Sequence, residues 1–317
     1  MNKVVAVLPS FDGTAAHVDV RWLLAGVLLH ILSQAVRSRG WFNILRASYP
    51  HARELGGRHV MAASFAAAGL NGLLPARGGD VVKLAFVRRR IDGAHYPSLI
   101  ATAVAETAFE SLCGAALLVW LLVRGWVPMP SVAGALSAAG ASMHPVVTSV
   151  LALAALVVLT AAARPLGRRL ARAGSRWRRG LAIFSTPRRF LTRVASWQAL
   201  ARLIRLASLF CFLGAFALPA TLGTAALVMA VQGGARVVPF APVSAGMRIA
   251  LLNCGIAGIA GHPVALSAIA AFMVGMSATT FSVMLPISAV LVGRELGTRS
   301  PRLALQRARV RLQSAAV

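Results

Sequence analysis

Long apolar segments alternate with short arginine-rich segments along most of the chain. A helix needs about 20 predominantly apolar residues to cross the hydrocarbon core of a bilayer. Segments near or above that length lie at 99–123, 145–163, 194–218 and 264–292, and a shorter one lies at 22–36. The pattern predicts an all-α fold in which the chain forms a polytopic bundle of membrane helices.

Proline interrupts two other apolar stretches before they are long enough to cross. The break falls at Pro75 in the first stretch and at Pro239 and Pro242 in the second, and a shorter helical segment follows each break. Proline has no backbone N–H to donate and its ring clashes with the preceding turn, so it ends or kinks a helix. We therefore predict two broken, re-entrant helix hairpins, at about 59–90 and about 221–260.

The distribution of arginine predicts how these segments are oriented. Short loops rich in Lys and Arg stay on the cytoplasmic side of a membrane. The basic stretches are 37–58, 77–93, 164–193 and 294–317, whereas 125–142 contains neither Lys nor Arg. On this rule the first hairpin enters from the cytoplasm and the second from outside. Broken hairpins of opposite direction are typical of an inverted repeat, which places a substrate site near the bilayer midplane.

Composition supports an integral membrane protein. The 317 residues are 58% hydrophobic, and 33 Lys and Arg residues stand against 8 Asp and Glu. Ordinary globular domains are about 45–50% apolar. Because the basic residues lie beside apolar spans, we attribute them to membrane topology and anionic lipid, and we expect no nucleic-acid binding.

The chain divides into three parts. Residues 1–21 are an N-terminal extracytoplasmic segment or the remnant of a first span, 22–293 form a single transmembrane domain, and 294–317 form a basic cytoplasmic tail. We expect a multi-pass protein of the plasma membrane with its C-terminus in the cytoplasm.

The polar break of the first hairpin is the first candidate for a ligand site. Irregular backbone at membrane depth is tolerated where it lines a cavity. Two bases and a glycine turn at a helix N-terminus suit a phosphate group. The alternatives are a plain helix stop at Asn71 and Pro75, and basic anchors that face cytoplasmic head groups. We favour a site for a lipid head group, formed here by Asn71, Arg77, Gly79, Asp80 and Lys83.

Two carboxylates inside the next apolar span extend this site. Glu106 and Glu110 are four positions apart, so they share one helix face. Charged groups in a membrane are costly and normally face the bundle interior, where they pair. Arg202 and Arg205, in a later span, are the predicted partners and complete the head-group site. The alternative is an ion pair that only fixes the helix register.

No residue pattern indicates metal or cofactor chemistry. The seven histidines and three cysteines show no HxH, HExxH or CxxC spacing, and GxSxG and Walker-type motifs are lacking. We therefore predict no metal, no cofactor, no catalytic residues and no enzymatic activity.

The chain resembles a known family at several of these positions. Ser38-Arg39-Gly40-Trp41 and the polar break from Asn71 to Lys83 resemble the lysylphosphatidylglycerol synthase transmembrane region, also called the flippase-like family. Glu106 and Glu110 fit its acidic stretch, and 239–252 looks like a later proline-containing segment. The resemblance implies translocation of a phosphate-bearing lipid between leaflets, either an anionic phospholipid or a polyprenyl-phosphate-linked lipid.

The sequence also departs from the family pattern. Asp80 stands where the family usually has Glu, and Lys83 where it usually has Arg, which keeps each charge but changes its reach. In the second hairpin, Val243 and Ser244 replace paired glycines and Ile249 replaces an acidic residue. We expect the second hairpin to contribute a weakened or altered site.

Two other functions compete with lipid translocation. The first is a non-catalytic membrane scaffold or accessory subunit of a lipid- or polysaccharide-modifying enzyme, which would bind its partner through 164–193 or the basic tail. The second is a membrane transferase acting on a lipid-linked donor, for which Glu106 and Glu110 are the candidate bases or metal ligands. A homo-oligomer is compatible with each of these functions.

Overall fold

A computed structural model describes residues 18–52, 54–73, 78–123, 187–234 and 241–296, together with positions 174, 180, 181 and 183. Within these ranges the chain is helical and contains no strand, which confirms the all-α prediction. Its helices are α1 Val20–Ser48, α2 Gly57–Leu70, α3 Gly78–Arg88, α4 Tyr96–Val123, α5 (Pro187–Phe190, a π-helical turn Leu191–Ala195 and Ser196–Ala215), α6 Leu222–Gly234, α7 Ala241–Ala260 and α8 Leu266–Leu296.

Three of the described helices are long and apolar enough to cross a membrane: Val20–Ser48, Arg188–Ala215 and Leu266–Arg294. The sequence predicted the last two from their apolar runs. Helix α4 also has the predicted position and is 28 residues long. The predicted span at 145–163, nearly all of the basic stretch at 164–186 and the tail beyond residue 296 lie outside the described residues.

Helix α1 is much longer than its apolar run. The short span at 22–36 and the loop expected at 37–58 are wrong, because one continuous helix of 29 residues runs through Ser48. Asp19 caps its start by accepting a hydrogen bond from the Arg21 backbone N–H at 2.9 Å. No proline occurs between Val20 and Tyr49, and arginine is a good helix former, so the charges after residue 36 do not end the helix.

A pair of helices is present at each of the two predicted positions, and whether either pair is re-entrant stays a prediction. Helices α2 and α3 have 14 and 11 residues, and α6 and α7 have 13 and 20. Helix α7 begins at Ala241 rather than at the expected residue 245, since a proline in the first helical turn costs no intrahelical hydrogen bond. Entry of the pairs from opposite membrane faces, and the inverted repeat, stay predictions.

Helix α2 packs closely against α8. Ser288 Oγ donates a hydrogen bond to the Ala66 carbonyl oxygen at 2.8 Å. A Cβ added to Gly69 would lie 2.7 Å from the Met284 carbonyl oxygen, inside van der Waals contact. The backbones of α2 and α8 therefore approach closely at Gly69, and this contact holds the first hairpin against the last long helix.

We expect Gly69→Ala to lower the free energy of unfolding by about 1–3 kcal/mol, because the added methyl group forces α2 and α8 apart. Gly114→Ala is the matched control, since nothing lies within 4 Å of a Cβ there. That helix-interior change should stabilise α4 by up to about 1 kcal/mol. Thermal unfolding of the purified variants in detergent measures both changes, and equal stabilities for the two variants would contradict the close packing.

Two apolar cores occupy the two ends of the long helices. One surrounds Trp41 and Ile44 of α1 and includes Leu99 and Val194. The other is built on α5 to α8, with Val27 of α1 and Leu121 of α4, and its largest buried side chains are Leu121, Leu209, Phe212, Leu213, Leu227, Leu252 and Phe272. A layer of polar side chains separates the two cores, and the candidate site lies in this layer.

Candidate functional site

The polar layer centres on two buried carboxylates of α4. Glu106 is 3% exposed and Glu110 is 7% exposed. The Nε atom of Arg37 lies 2.9 Å from Glu106 Oε1 and 2.9 Å from Glu110 Oε1. Lys83 Nζ lies 2.8 Å from Glu106 Oε2, and Arg202 Nη2 lies 3.2 Å from Glu110 Oε1. Four helices, α1, α3, α4 and α5, thus contribute charges to one network.

The helical repeat explains why these side chains meet. Positions four apart share a face, so α4 presents both carboxylates to the bundle interior. Arg37 lies between them on α1 and bridges the pair. The predicted contact between Glu110 and Arg202 is present. Arg37 was not predicted as a site residue, because the positive-inside rule assigned it to a loop.

A signal for Arg37 was nevertheless present in the sequence. His30, Gln34, Arg37 and Trp41 recur at spacings of three or four, which is one stripe of a helix. Extending the helix past residue 36 would have placed Arg37 on the same face as the other polar side chains.

Lys83 is held inside the protein rather than at a membrane surface. It is 7% exposed, and its Nζ lies 3.8 Å from the centroid of the Trp41 ring. Trp41 is fixed in turn by its indole N–H, which donates to Thr102 Oγ1 at 3.3 Å. The ion pair with Glu106 and the cation–π contact together hold the ammonium group. Lys83 is therefore not a cytoplasmic anchor.

The polar break of the first hairpin lies beside this network. Asn71 Nδ2 donates to Asp80 Oδ1 at 3.2 Å, which joins the end of α2 to the first turn of α3. Gly79 permits this approach, because a Cβ there would lie 2.7 Å from Asn71 Oδ1. Asp80 is exposed to the cavity described below. Pro75 and Arg77 lie outside the described residues.

Arg205 occupies a neighbouring position on α5. Its Nη2 donates to Gln232 Oε1 at 3.0 Å, and its Nη1 contacts His30 Nδ1. It therefore ties α5 to α1 and to α6. The predicted second partner of the glutamates thus lies one helical turn from Arg202, where it joins the second hairpin to the network.

The charged network lines a cavity of about 490 Å³. Its walls come from α1, α2, α3, α4 and α8, and include Asp80, Lys83 and Thr280. A side pocket of about 120 Å³ lies between α1, α5 and α6. The two cavities share four wall residues: His30, Gln34, Arg37 and Glu110.

Glu106 lies ten residues after Tyr96, the first residue of α4, which is about 15 Å along the axis at 1.5 Å per residue. The charged network therefore lies well inside the helix bundle, between the two apolar cores.

The second hairpin contributes unequally to the two cavities. Met229 and Gln232 of α6 line the side pocket. Val243 and Ser244 lie in the first turn of α7, and Ile249 packs at the edge of the second apolar core. Among the described residues, α7 lines neither cavity. The part of the chain that the structure describes also holds no cluster of His, Cys, Asp and Glu arranged for a metal ion.

Comparison with known proteins gives the family. A family model described as the lysylphosphatidylglycerol synthase TM region matches residues 4–288. No curated protein and no solved structure matches the chain at a significant level. The match covers most of the sequence, so the chain belongs to this family and is a membrane protein.

Proposed function

We propose that this member of the lysylphosphatidylglycerol synthase transmembrane-region family moves a phosphate-bearing lipid between the two leaflets of the plasma membrane. The observation that carries the proposal is the pair of adjoining polar cavities at mid-helix depth. Four basic side chains line them against three acidic ones: Arg37, Lys83, Arg202 and Arg205 against Asp80, Glu106 and Glu110. A buried site with an excess of positive charge suits an anionic group.

In the proposed mechanism the head group enters the cavities while the acyl chains stay in lipid. Only the polar part of the lipid then needs shelter from the hydrocarbon, which lowers the cost of crossing. Arginine binds phosphate through two parallel N–H donors, so a phosphate can replace a carboxylate as the partner of Arg37 or Arg202. The carboxylates released in this exchange can accept hydrogen bonds from a cationic or hydroxylated part of the head group.

The shared ion pairs lower the free-energy cost of this exchange. Arg37 contacts both glutamates, and each glutamate has a second base, Lys83 or Arg202. Losing one partner to the phosphate therefore leaves no carboxylate alone in the membrane interior. The proposal includes an anionic phospholipid or a polyprenyl-phosphate-linked lipid as the cargo, and no chemical step on it.

A leaflet-specific quenching assay tests the proposal. Proteoliposomes that hold fluorescent anionic phospholipids are compared with protein-free vesicles after a membrane-impermeant quencher is added. We expect protein-dependent loss of the protected signal. We also expect Arg77→Ala to slow that loss by about tenfold, since a base in the polar break of the first hairpin would supply a charge-assisted hydrogen bond to a phosphate.

Two results would count against translocation. If several anionic lipids stay protected in the presence of folded protein, the accessory-subunit function becomes the better explanation, and co-purification of an enzyme is the next measurement. If Arg77→Ala translocates at the rate of the intact protein, the loop of the first hairpin does not contact the head group.

A further inference from the structure

The side pocket differs in charge from the central cavity that it adjoins. Among the described residues, three arginines and one carboxylate line the side pocket: Arg37, Arg202, Arg205 and Glu110. The described part of the central cavity has two bases and three carboxylates: Arg37, Lys83, Asp80, Glu106 and Glu110. One end of the continuous polar space is therefore rich in positive charge and the other in negative charge.

A residue with an unsatisfied hydrogen-bond donor lines the positive end. Gln198 is 1% exposed, and its Nε2 atom has no hydrogen-bond partner among the described residues. A buried amide N–H without an acceptor is destabilising, so such groups normally have a partner. Gly40 of α1 leaves room for this side chain, because a Cβ there would lie 2.8 Å from Nε2. The packing of α1 against α5 thus buries this amide between the two helices, on a residue that lines the side pocket.

We propose that the side pocket is the anion subsite, in which Gln198 Nε2 and the guanidinium groups of Arg202 and Arg205 bind a phosphate group. The opposite, carboxylate-rich end then receives the cationic or hydroxylated part of the same head group. This inference rests on the proposed function only for the source of the phosphate, which is a lipid head group there. The same chemistry also suits free phosphate.

The size of the pocket fits this ligand. Its volume of about 120 Å³ has room for a phosphate group. Arg202 and Arg205 are three residues apart, so both face the pocket from adjacent positions of α5. Gln198 lies four residues before Arg202 on the same face.

Equilibrium binding to the purified full-length protein tests the subsite. The probes are inorganic phosphate, a short-chain phosphatidylglycerol and an uncharged short-chain diacylglycerol, each titrated by calorimetry in phosphate-free detergent buffer. Gln198→Glu changes one amide to a carboxylate of similar size. It should weaken binding of a charged probe by about tenfold or more, since it replaces a donor with a like charge.

Two further variants control for folding and for charge in general. Gln198→Met removes the donor without adding charge and should weaken binding less than Gln198→Glu does. Asn253→Asp makes the same amide-to-acid change on α7, where the side chain lines neither cavity, and should leave the affinity within about twofold. Thermal unfolding of each variant in detergent shows that it is folded.

The two charged probes identify the source of the phosphate. Binding of the lipid alone assigns the subsite to a head group, binding of inorganic phosphate alone assigns it to free phosphate, and either result supports the subsite. Unchanged affinity in Gln198→Glu, or no binding of either charged probe, overturns it. Translocation is measured separately. Translocation without binding of a charged probe contradicts only the subsite. Binding of a charged probe without translocation contradicts only the proposed function.

Discussion

Arg37→Gln is expected to reduce protein-dependent lipid translocation by about tenfold or more while the protein stays folded. Arg37 is the side chain that contacts both glutamates and lines both cavities. A hydrogen bond to a charged group contributes about 1.5–3 kcal/mol, and about 1.4 kcal/mol corresponds to a factor of ten. Losing the donor at the junction of the two cavities should therefore slow the passage of a phosphate.

The folded state should survive this change because each carboxylate keeps another base. Glu106 still has Lys83 at 2.8 Å, and Glu110 still has Arg202 at 3.2 Å. Arg46→Gln is the matched control: it removes an arginine from the same helix, but that side chain is exposed and stacks on Phe42 outside the network. Both variants are compared in the leaflet-quenching assay after their unfolding temperatures have been measured. Equal translocation by Arg37→Gln and Arg46→Gln would mean that the network takes no part in transport.

The sequence predicted the long helices because their signal is local. A run of about 20 apolar residues is visible without any knowledge of packing. The same holds for the separate short helices α2 and α3, which follow from proline and glycine in the sequence, and for the shared face of Glu106 and Glu110. The contact between Glu110 and Arg202 was predicted because an unpaired charge inside a membrane is costly and needs a partner.

The position of Arg37 was predicted wrongly from the positive-inside rule. The positive-inside rule treats an arginine near the end of an apolar run as a surface residue, and residues 37–58 contain several. In the structure α1 continues through this stretch, and Arg37 is 29% exposed and bound to two acids. The polar stripe of α1 indicates which face Arg37 shares, but the contact with Glu106 and Glu110 depends on α4 lying opposite that face.

The side pocket is a second feature that depends on tertiary packing. It forms where α5 and α6 approach α1, and its residues are separated by up to about 200 positions in the chain. Gln198 had no sequence signal that distinguishes it from an ordinary polar residue near a helix start. Only its burial and its unsatisfied amide identify it.

Glu106→Gln is expected to be the most destabilising single change in the network. It would leave Lys83 buried over the Trp41 ring without an acidic partner at 2.8 Å. Breaking a buried pair by removing one partner costs about 3–5 kcal/mol, because the remaining charge is uncompensated. Lys83→Met should cost less, since Glu106 retains Arg37 at 2.9 Å. Thermal unfolding in detergent gives this order directly.

The double variant separates a structural role of the pair from a role in transport. Replacing both charges with neutral side chains leaves no uncompensated charge, so Glu106→Gln with Lys83→Met should recover most of the stability that Glu106→Gln loses. Translocation should stay low in the double variant, because the exchange of partners between carboxylate and phosphate needs Glu106. Recovery of stability together with translocation would show that this ion pair only fixes the register of α3 against α4. The head group would then be bound by the remaining charges of the network, with Arg37 and Arg202 as its phosphate contacts.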